Sequence, residues 1–584
     1  MSSAAAAKYV IVISVDGLGG TYLAKMFDGT ATGGPYAIPN FTRLKNEGTG
    51  TLAAHCDNAT YDTLPNHTSI ITGRPMMSVG GLDGHNWTIN GDPAVGQTIH
   101  SNKGLPGPPV YVVGVFDVAH DNGLRTGMYA NKSKFSLFDN TADYPGGGSY
   151  NATYGAPDIT GPDNGRDKID NLYINTALGG IVVNTFIAQQ IDPATRNQYA
   201  FLHINESDSY GHSKSWGSAT WYSSVVAVDT MLGRIFKLIG QDVPAMTGKT
   251  AIILTADHGN QDNPPTGADR YQVPFFVWGP GVPAGADLYT LNSSIRQKAA
   301  SYPMTTYGGM QPMRNAEANN VALYLLGLEA IPGSTFNYAQ NLVVTQPSVT
   351  LGLAGSPLAE AGGVATVTAT LSVPYTLPVT VNLLFSGTAA VAADYTRSGT
   401  SIAIPAGSGS GSLTLTAVAD AVYESPDKTI VVDIGTVVNA TEDGIQQVTA
   451  TITDDDPDYV PWMAGYYAPP GDPKAQPGAD PDHDGMTNQQ EYAFGLDPSS
   501  GSSANPIKEP LDKTTGRFTY SRRKPALTRL PYIYQYSTTL SGTWNPFIPV
   551  GITSDNGDPV EMLTVEVPAA LLANPLLFVR VKAE

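Results

Sequence analysis

Three short runs in the first half of the chain, Tyr9–Val15, Tyr199–Ile204 and Thr250–Thr255, carry no charged residue, and each stops abruptly at a polar cluster. The first meets Asp16, the second Glu206 to His212, the third Asp257 and His258. Strands that are apolar along their length, rather than alternating, belong in a sheet covered on both faces. Val273–Trp278, closed by Gly279-Pro280-Gly281, reads as a further strand. Helical spacing appears at Phe41–Glu47, Thr68–Thr72, Tyr222–Ile239 and Ala316–Leu326. Strands alternating with helices predict an α/β core, a mostly parallel sheet with helices on both faces. In such sheets ligands sit beyond the carboxyl ends of the strands, where these polar clusters fall. The Gly-, Asn- and Asp-rich segment from Tyr129 to Arg196 reads as an insertion able to cap or border that site.

The texture changes near residue 347. A chain of 584 residues is too long for one core. Residues 8–346 are expected to form the α/β catalytic domain. Residues 347–456 lose helical periodicity and alternate at Ala365–Ser372, Val379–Phe385, Gly411–Val418, Thr429–Ile434 and Gln446–Thr453, the pattern of a β-sandwich. Residues 457–498 form a Pro/Gly/Tyr-rich linker followed by a compact acidic motif. Residues 499–584 form a β-rich C-terminal domain, with strands at Arg517–Arg522, Tyr532–Thr538 and Phe578–Val581.

Charge narrows the function classes. The net charge of −19 disfavours a stable nucleic-acid complex held by phosphate contacts. The excess is concentrated: Thr345 to Ser500 holds 18 acidic residues against three basic ones, Arg397, Lys428 and Lys474. No apolar run reaches the ~18 residues that a membrane-spanning helix needs. Met1 to Lys8 is too short for the apolar part of a signal peptide, so a secreted, periplasmic or cell-surface location implies a leader not present in this chain. The single cysteine, Cys56, excludes a disulfide framework within the chain.

Four motifs carry chemistry: Val15-Asp16-Gly17, Thr63-Leu64-Pro65-Asn66-His67, Asp208-Ser209-Tyr210-Gly211-His212 and Ala256-Asp257-His258-Gly259. Phosphoryl transfer demands charge neutralisation and an in-line nucleophile. Two metal ions ~4 Å apart can clamp the attacking and leaving oxygens, and Asp and His suit Zn²⁺. A threonine hydroxyl is a weak nucleophile unless a metal lowers its pKa. A helix beginning just after Thr63 would also direct its positive end at a phosphate. The expected substrate is therefore a small-molecule phosphoester, with the oligomeric state left open.

Together these motifs resemble the nucleotide pyrophosphatase/phosphodiesterase group of the alkaline phosphatase superfamily, over roughly Lys8 to Gln340. The resemblance implies an alkaline-phosphatase-like core, hydrolysis of phosphodiester or pyrophosphate bonds, and a phosphoenzyme formed on Thr63. It implies one zinc held by Asp16, Thr63, Asp257 and His258, and a second by Asp208, His212 and one later histidine. It also implies an Asn, about twenty residues beyond the nucleophile, that holds a phosphoryl oxygen; Asn86 is the candidate and His85 its rival. The chain departs from the pattern in one respect: after His258 the only histidine is His483, in another domain. Asp262, Asp269 or a water is left to fill that place, or the second site takes a harder ion such as Mn²⁺ or Mg²⁺. No Arg lies within the motifs, which favours diesters over monoesters; phosphomonoester and phosphonate hydrolysis, or a decayed calcium-binding surface protein, are the alternatives. The absence of Cys or Ser before x-Pro-x-Arg argues against a sulfatase.

Asp480 to Glu491 fits a twelve-residue EF-hand loop, with Asp480, Asp482, Asp484, Asn488 and Glu491 as side-chain ligands, Met486 offering its carbonyl and Gly485 making the turn. Residues 347–456 resemble the Calx-beta domain through Glu360, Asp394-Tyr395, Asp420, Glu424, Asp427 and the run Asp454-Asp455-Asp456. Such carboxylates repel one another, and bound Ca²⁺ would convert that repulsion into stability.

Overall fold

The structure is a computed structural model that describes residues 7–94, 97–99, 112–138, 168–177, 179–262, 267–304, 306–424, 426–468, 471–539 and 541–584. It divides into two compact units, Met1–Pro347 with Tyr375–Leu377, and the remainder to Glu584.

The first unit is built on an eight-stranded sheet: β1 (Tyr9–Val15), β2 (Thr49–His55), β3 (Thr126–Ala130), β4 (Asn171–Ile174), β5 (Tyr199–Ile204), β6 (Thr250–Thr255), β7 (Gln272–Trp278) and β8 (Ala286–Asp287). Their order is β4-β3-β5-β1-β6-β7-β2-β8. β1 pairs in parallel with β5 and with β6, and β7 is antiparallel to both of its neighbours, so β7 alone runs against the rest. Every residue of β1, β5 and β6 is buried, as two covered faces require. The covering helices are α1 (Gly20–Phe27), α2 (Pro39–Glu47), α3 (Thr63–Thr72), α4 (Val115–Asp121), α5 (Gly180–Ile191), α6 (Glu206–Lys214), α7 (Ala219–Lys237) and, later, the helix Ala318–Leu325. α7 packs on α2, α5 and α6, whereas α3 packs on α4 and on Ala318–Leu325. The insertion expected between Tyr129 and Arg196 contributes β4 and α5; its stretch from 139 to 167 lies outside the described residues.

The helix expected over Thr68–Thr72 is longer than its apolar spacing suggested: α3 begins at Thr63 and is buried at every position. A helix buried all round shows no amphipathic stripe, so the period that marks a surface helix is missing there.

The second unit opens with two five-stranded sheets formed from residues 348–453. Along Val364–Leu371 and Val379–Gly387 alternate side chains are buried, the mark of sheets with one covered face. The C-terminal part adds a four-stranded and a three-stranded sheet. The helix Asn488–Phe494, which follows the acidic loop, sends Ala493 and Phe494 into one core with Phe518, Tyr520, Tyr534, Leu563 and Val565. The segments 457–498 and 499–584 thus share a hydrophobic centre.

Candidate active site

The site forms where β5, β1 and β6, three neighbouring parallel strands, end side by side. Asp16 follows β1, Asp257 and His258 follow β6, and Asp208 lies in the first turn of α6 just beyond β5. Glycines let these turns meet. Gly17 has φ +70°, and a Cβ there would stand 2.9 Å from the Asp208 Cα. A Cβ on Gly259 would lie 2.0 Å from the Asp269 carbonyl. Thr63, the first residue of α3, brings its hydroxyl to the same point.

Asp16, Thr63, Asp208, Asp257 and His258 are all buried. His258 Nδ1 donates to the Gly259 carbonyl at 2.8 Å, which leaves the Nε2 lone pair facing inward. That Nε2 lies 3.4 Å from Asp16 Oδ1, 3.2 Å from Asp257 Oδ2 and 3.4 Å from Thr63 Oγ1. Neither Asp16 Oδ1 nor Asp257 Oδ2 has a hydrogen-bond partner. Acceptor atoms therefore converge with no donor to hold two of them, an arrangement that costs free energy unless a cation fills it. Asp16, Asp257 and His258 offer ligand atoms within 4.8 Å of one another, and these residue types suit zinc.

The electrostatics follow from burial in a crowd of charge. Burial and the Asp16 charge push Asp257 well up. Burial also pushes Asp16 up, but Lys132 and His203 outweigh it and hold that carboxyl well below the usual range. His203 Nε2 donates to Asp16 Oδ2 at 2.9 Å. His67 donates from Nδ1 to the Thr63 carbonyl at 2.7 Å and pairs through Nε2 with Ser14 Oγ at 2.9 Å. Burial and His203 lower His67, so this ring fixes the start of α3 without carrying charge.

Residues 10–275 match the family model described as type I phosphodiesterase / nucleotide pyrophosphatase. The first unit is a phosphoric ester hydrolase of the phosphodiesterase/nucleotide pyrophosphatase type. Solved structures similar to the chain include murine ectonucleotide pyrophosphatase/phosphodiesterase 5, in an inactive form in complex with AMP, at 14% identity over 57% of this chain and 99% of that one with a TM-score of 0.36. Human ectonucleotide pyrophosphatase/phosphodiesterase 5 aligns at 13% identity over 57% and 99% of the two chains, with a TM-score of 0.35. No curated protein sequence matches the chain.

The other expected residues are arranged around the phosphodiesterase centre as follows. His212 Nε2 is 3.4 Å from Asp208 Oδ1, but its side chain is 54% exposed. Asp262 and Asp269 act electrostatically on Tyr22, and neither joins a group of three ligand atoms. Asn86 sits at φ +61° with its Oδ1 facing Ser78, which binds it through N at 3.3 Å and Oγ at 3.4 Å. His85 is buried against Ser69 Oγ at 3.1 Å. The amide at the mouth of α3 is instead Asn90, whose Oδ1 accepts from Leu64 N and Lys134 Nζ, both at 3.0 Å. Asn86 itself belongs to a turn that closes through backbone bonds from His85 N to the Pro75 carbonyl and from Asn86 N to the Met76 carbonyl.

Lys132 is the largest omission of the sequence reading. Its Nζ lies 2.7 Å from both Asp16 Oδ2 and Asp208 Oδ2, and 3.4 Å from Thr63 Oγ1. Burial works against its charge, but Asp16 and Asp208 overcome this and raise its pKa. Asn131-Lys132 at the end of β3 has no motif signature; its position after a strand of the same parallel set was the available signal.

In the second unit three acidic groups assemble: Glu360, Asp454 and Asp456; Asp394, Asp420 and Glu424; Asp480, Asp482 and Asp484. The middle group already holds a cation, because Lys428 Nζ contacts Asp394 at 2.7 Å and also Glu424. Asp427 and Asp455 are exposed and join none of the three. In the loop from Asp480, Asp482 Oδ2, Asp484 Oδ2 and both Glu491 oxygens are buried without partners. Burial, with Asp482, Asp484 and Asp480 nearby, pushes Glu491 up to about 8. Asn488 anchors its amide nitrogen to the Lys474 and Gln476 carbonyls, leaving Oδ1 unpartnered. Gly485 takes φ +91° in the turn ahead of Met486, whose N–H binds Asp484 Oδ1 at 2.8 Å.

Proposed function

We propose that the first unit hydrolyses phosphodiester or pyrophosphate bonds of small molecules in a metal-dependent reaction, with Thr63 as nucleophile. The observation that carries this reading is the meeting of Asp16 Oδ1, Asp257 Oδ2 and His258 Nε2 beside Thr63 Oγ1 without a donor for either carboxylate oxygen. A zinc ion held by these four residues would neutralise phosphate charge and lower the pKa of the Thr63 hydroxyl. Thr63 Oγ1 forms a bond to phosphorus as the bond to the leaving oxygen breaks; water then cleaves the threonine ester and returns the hydroxyl. Asn90 and Lys134, at the start of α3, supply an amide and a cation to the phosphoryl oxygens. Arg74 is turned away to the Pro332 carbonyl, which agrees with a diester rather than a monoester substrate.

Hydrolysis of bis-p-nitrophenyl phosphate tests the reading. Thr63→Ala is expected to lower the rate by ~10³-fold or more while zinc content, read by mass spectrometry, is retained. An unchanged rate would remove Thr63 from the mechanism. A wild-type protein with neither zinc nor hydrolysis would restore the view of a decayed hydrolase.

We assign the second unit a structural, calcium-bound role at Glu360/Asp454/Asp456 and at the Asp480–Glu491 loop, in a Calx-beta-like sandwich followed by an EF-hand-like loop. Sites of this kind suit the high calcium outside cells, so we place the protein as secreted, periplasmic or surface-bound.

A further inference from the structure

We infer that the phosphodiesterase centre works with one metal ion, and that the Lys132 ammonium stands where a second would be. This rests on the metal-dependent reading of the first unit and revises its second zinc.

Among the described residues the second site has too few ligands to hold a metal. A zinc site needs at least three protein ligands. Asp208 and His212 supply two, His212 from an exposed side chain. Among the described residues, no group of three His, Cys, Asp or Glu ligand atoms includes either of them. The ammonium already occupies Asp208 Oδ2, at 2.7 Å, and stands at the same distance from Asp16 Oδ2.

Asp16 divides its two oxygens: Oδ2 takes Lys132 and His203, while Oδ1 is left open toward His258. The lysine is thus braced by the same carboxylate that faces the metal, and it lies 3.4 Å from the attacking oxygen. A compact ammonium there can stabilise charge on a phosphoryl oxygen as a point charge, without accepting an oxygen as a ligand.

The test is zinc stoichiometry in the full chain. With calcium in excess to fill the acidic loops, the protein is saturated with zinc, crystallised, and mapped by anomalous scattering at the zinc edge. One peak is expected in the first unit, at Asp16, Asp257 and His258, with Lys132 still bridging Asp16 and Asp208. Two peaks in an enzyme that hydrolyses bis-p-nitrophenyl phosphate would overturn the single-metal inference and leave the hydrolase reading standing. No peak and no hydrolysis would overturn both. Lys132→Met, checked for folding by its melting curve, is expected to keep the zinc at Asp16, Asp257 and His258 and to lose ~10²-fold or more in kcat. Full activity in that variant would also defeat the inference. Should it fail to fold, the wild-type zinc map decides alone.

Discussion

At the scale of single residues, the centre is an exercise in arranging acceptors. Four lone-pair atoms point inward, and three of the groups around them, His258, His203 and His67, have a ring nitrogen committed to a protein oxygen. In His258 that commitment decides which nitrogen is left for a ligand. The same reasoning separates two asparagines. Asn90 touches the N–H of Leu64, next to the nucleophile, whereas Asn86 is occupied by Ser78. Asn90→Ala is therefore expected to lower kcat/KM for the diester by ~10-fold or more, and Asn86→Ala to change it by no more than about twofold. Steady-state kinetics on both variants checks this; equal losses would return Asn86 to the site.

At the scale of elements, the acidic loop and the helix after it form one device. The loop gathers carboxylates that repel, and Asn488–Phe494 plants Ala493 and Phe494 in the core of the C-terminal sheets. Calcium binding should therefore be felt as stability of that core. Chelation with EGTA is expected to lower the calorimetric melting temperature of the second unit by roughly 5 °C or more. Glu491→Gln should remove the loop's share of the calcium response without lowering the melting point of the calcium-free protein, since glutamine keeps neutral a side chain whose charge Asp480, Asp482 and Asp484 oppose. A calcium-free variant that melts well below calcium-free wild type would contradict this. The Asp394/Glu424 pair, held by Lys428, should contribute little to calcium affinity.

At the scale of the whole molecule, the first unit buries imidazoles that cannot easily be charged. Burial, then Arg314, lowers His55 to about 4, and burial lowers His85 to about 3. Their unfolded values stand near 6.5, so the unfolded chain binds protons that the folded unit refuses. The stability from these rings is complete above pH ~6.5 and drains away as pH falls toward ~4, by up to about 3 kcal/mol for His55. Urea unfolding of the first unit between pH 7 and 4 should show this loss, with a shallower slope in His55→Gln; an identical slope would clear His55 of any part in it. β1, β5 and β6 fall on their expected residues because fully buried strands leave an unbroken apolar run. The sandwich strands Ser348–Ala354 and Ser401–Ile404 were not anticipated, because short strands with exposed alternate residues resemble loops.

Local sequence determined which residues end the central strands, since Asp16 and Asp257 each follow an unbroken apolar run, whereas Thr63, at the head of a helix buried on every side, is marked by its motif and not by hydrophobic pattern. Only the folded arrangement decided how they share charge. Lys132 reaches Asp16 and Asp208 across gaps of more than seventy residues, and no period or spacing encodes a contact between loops that follow different strands of one sheet. Strand order is set by burial of the whole sheet, and it is strand order that put an ammonium where a second metal was expected.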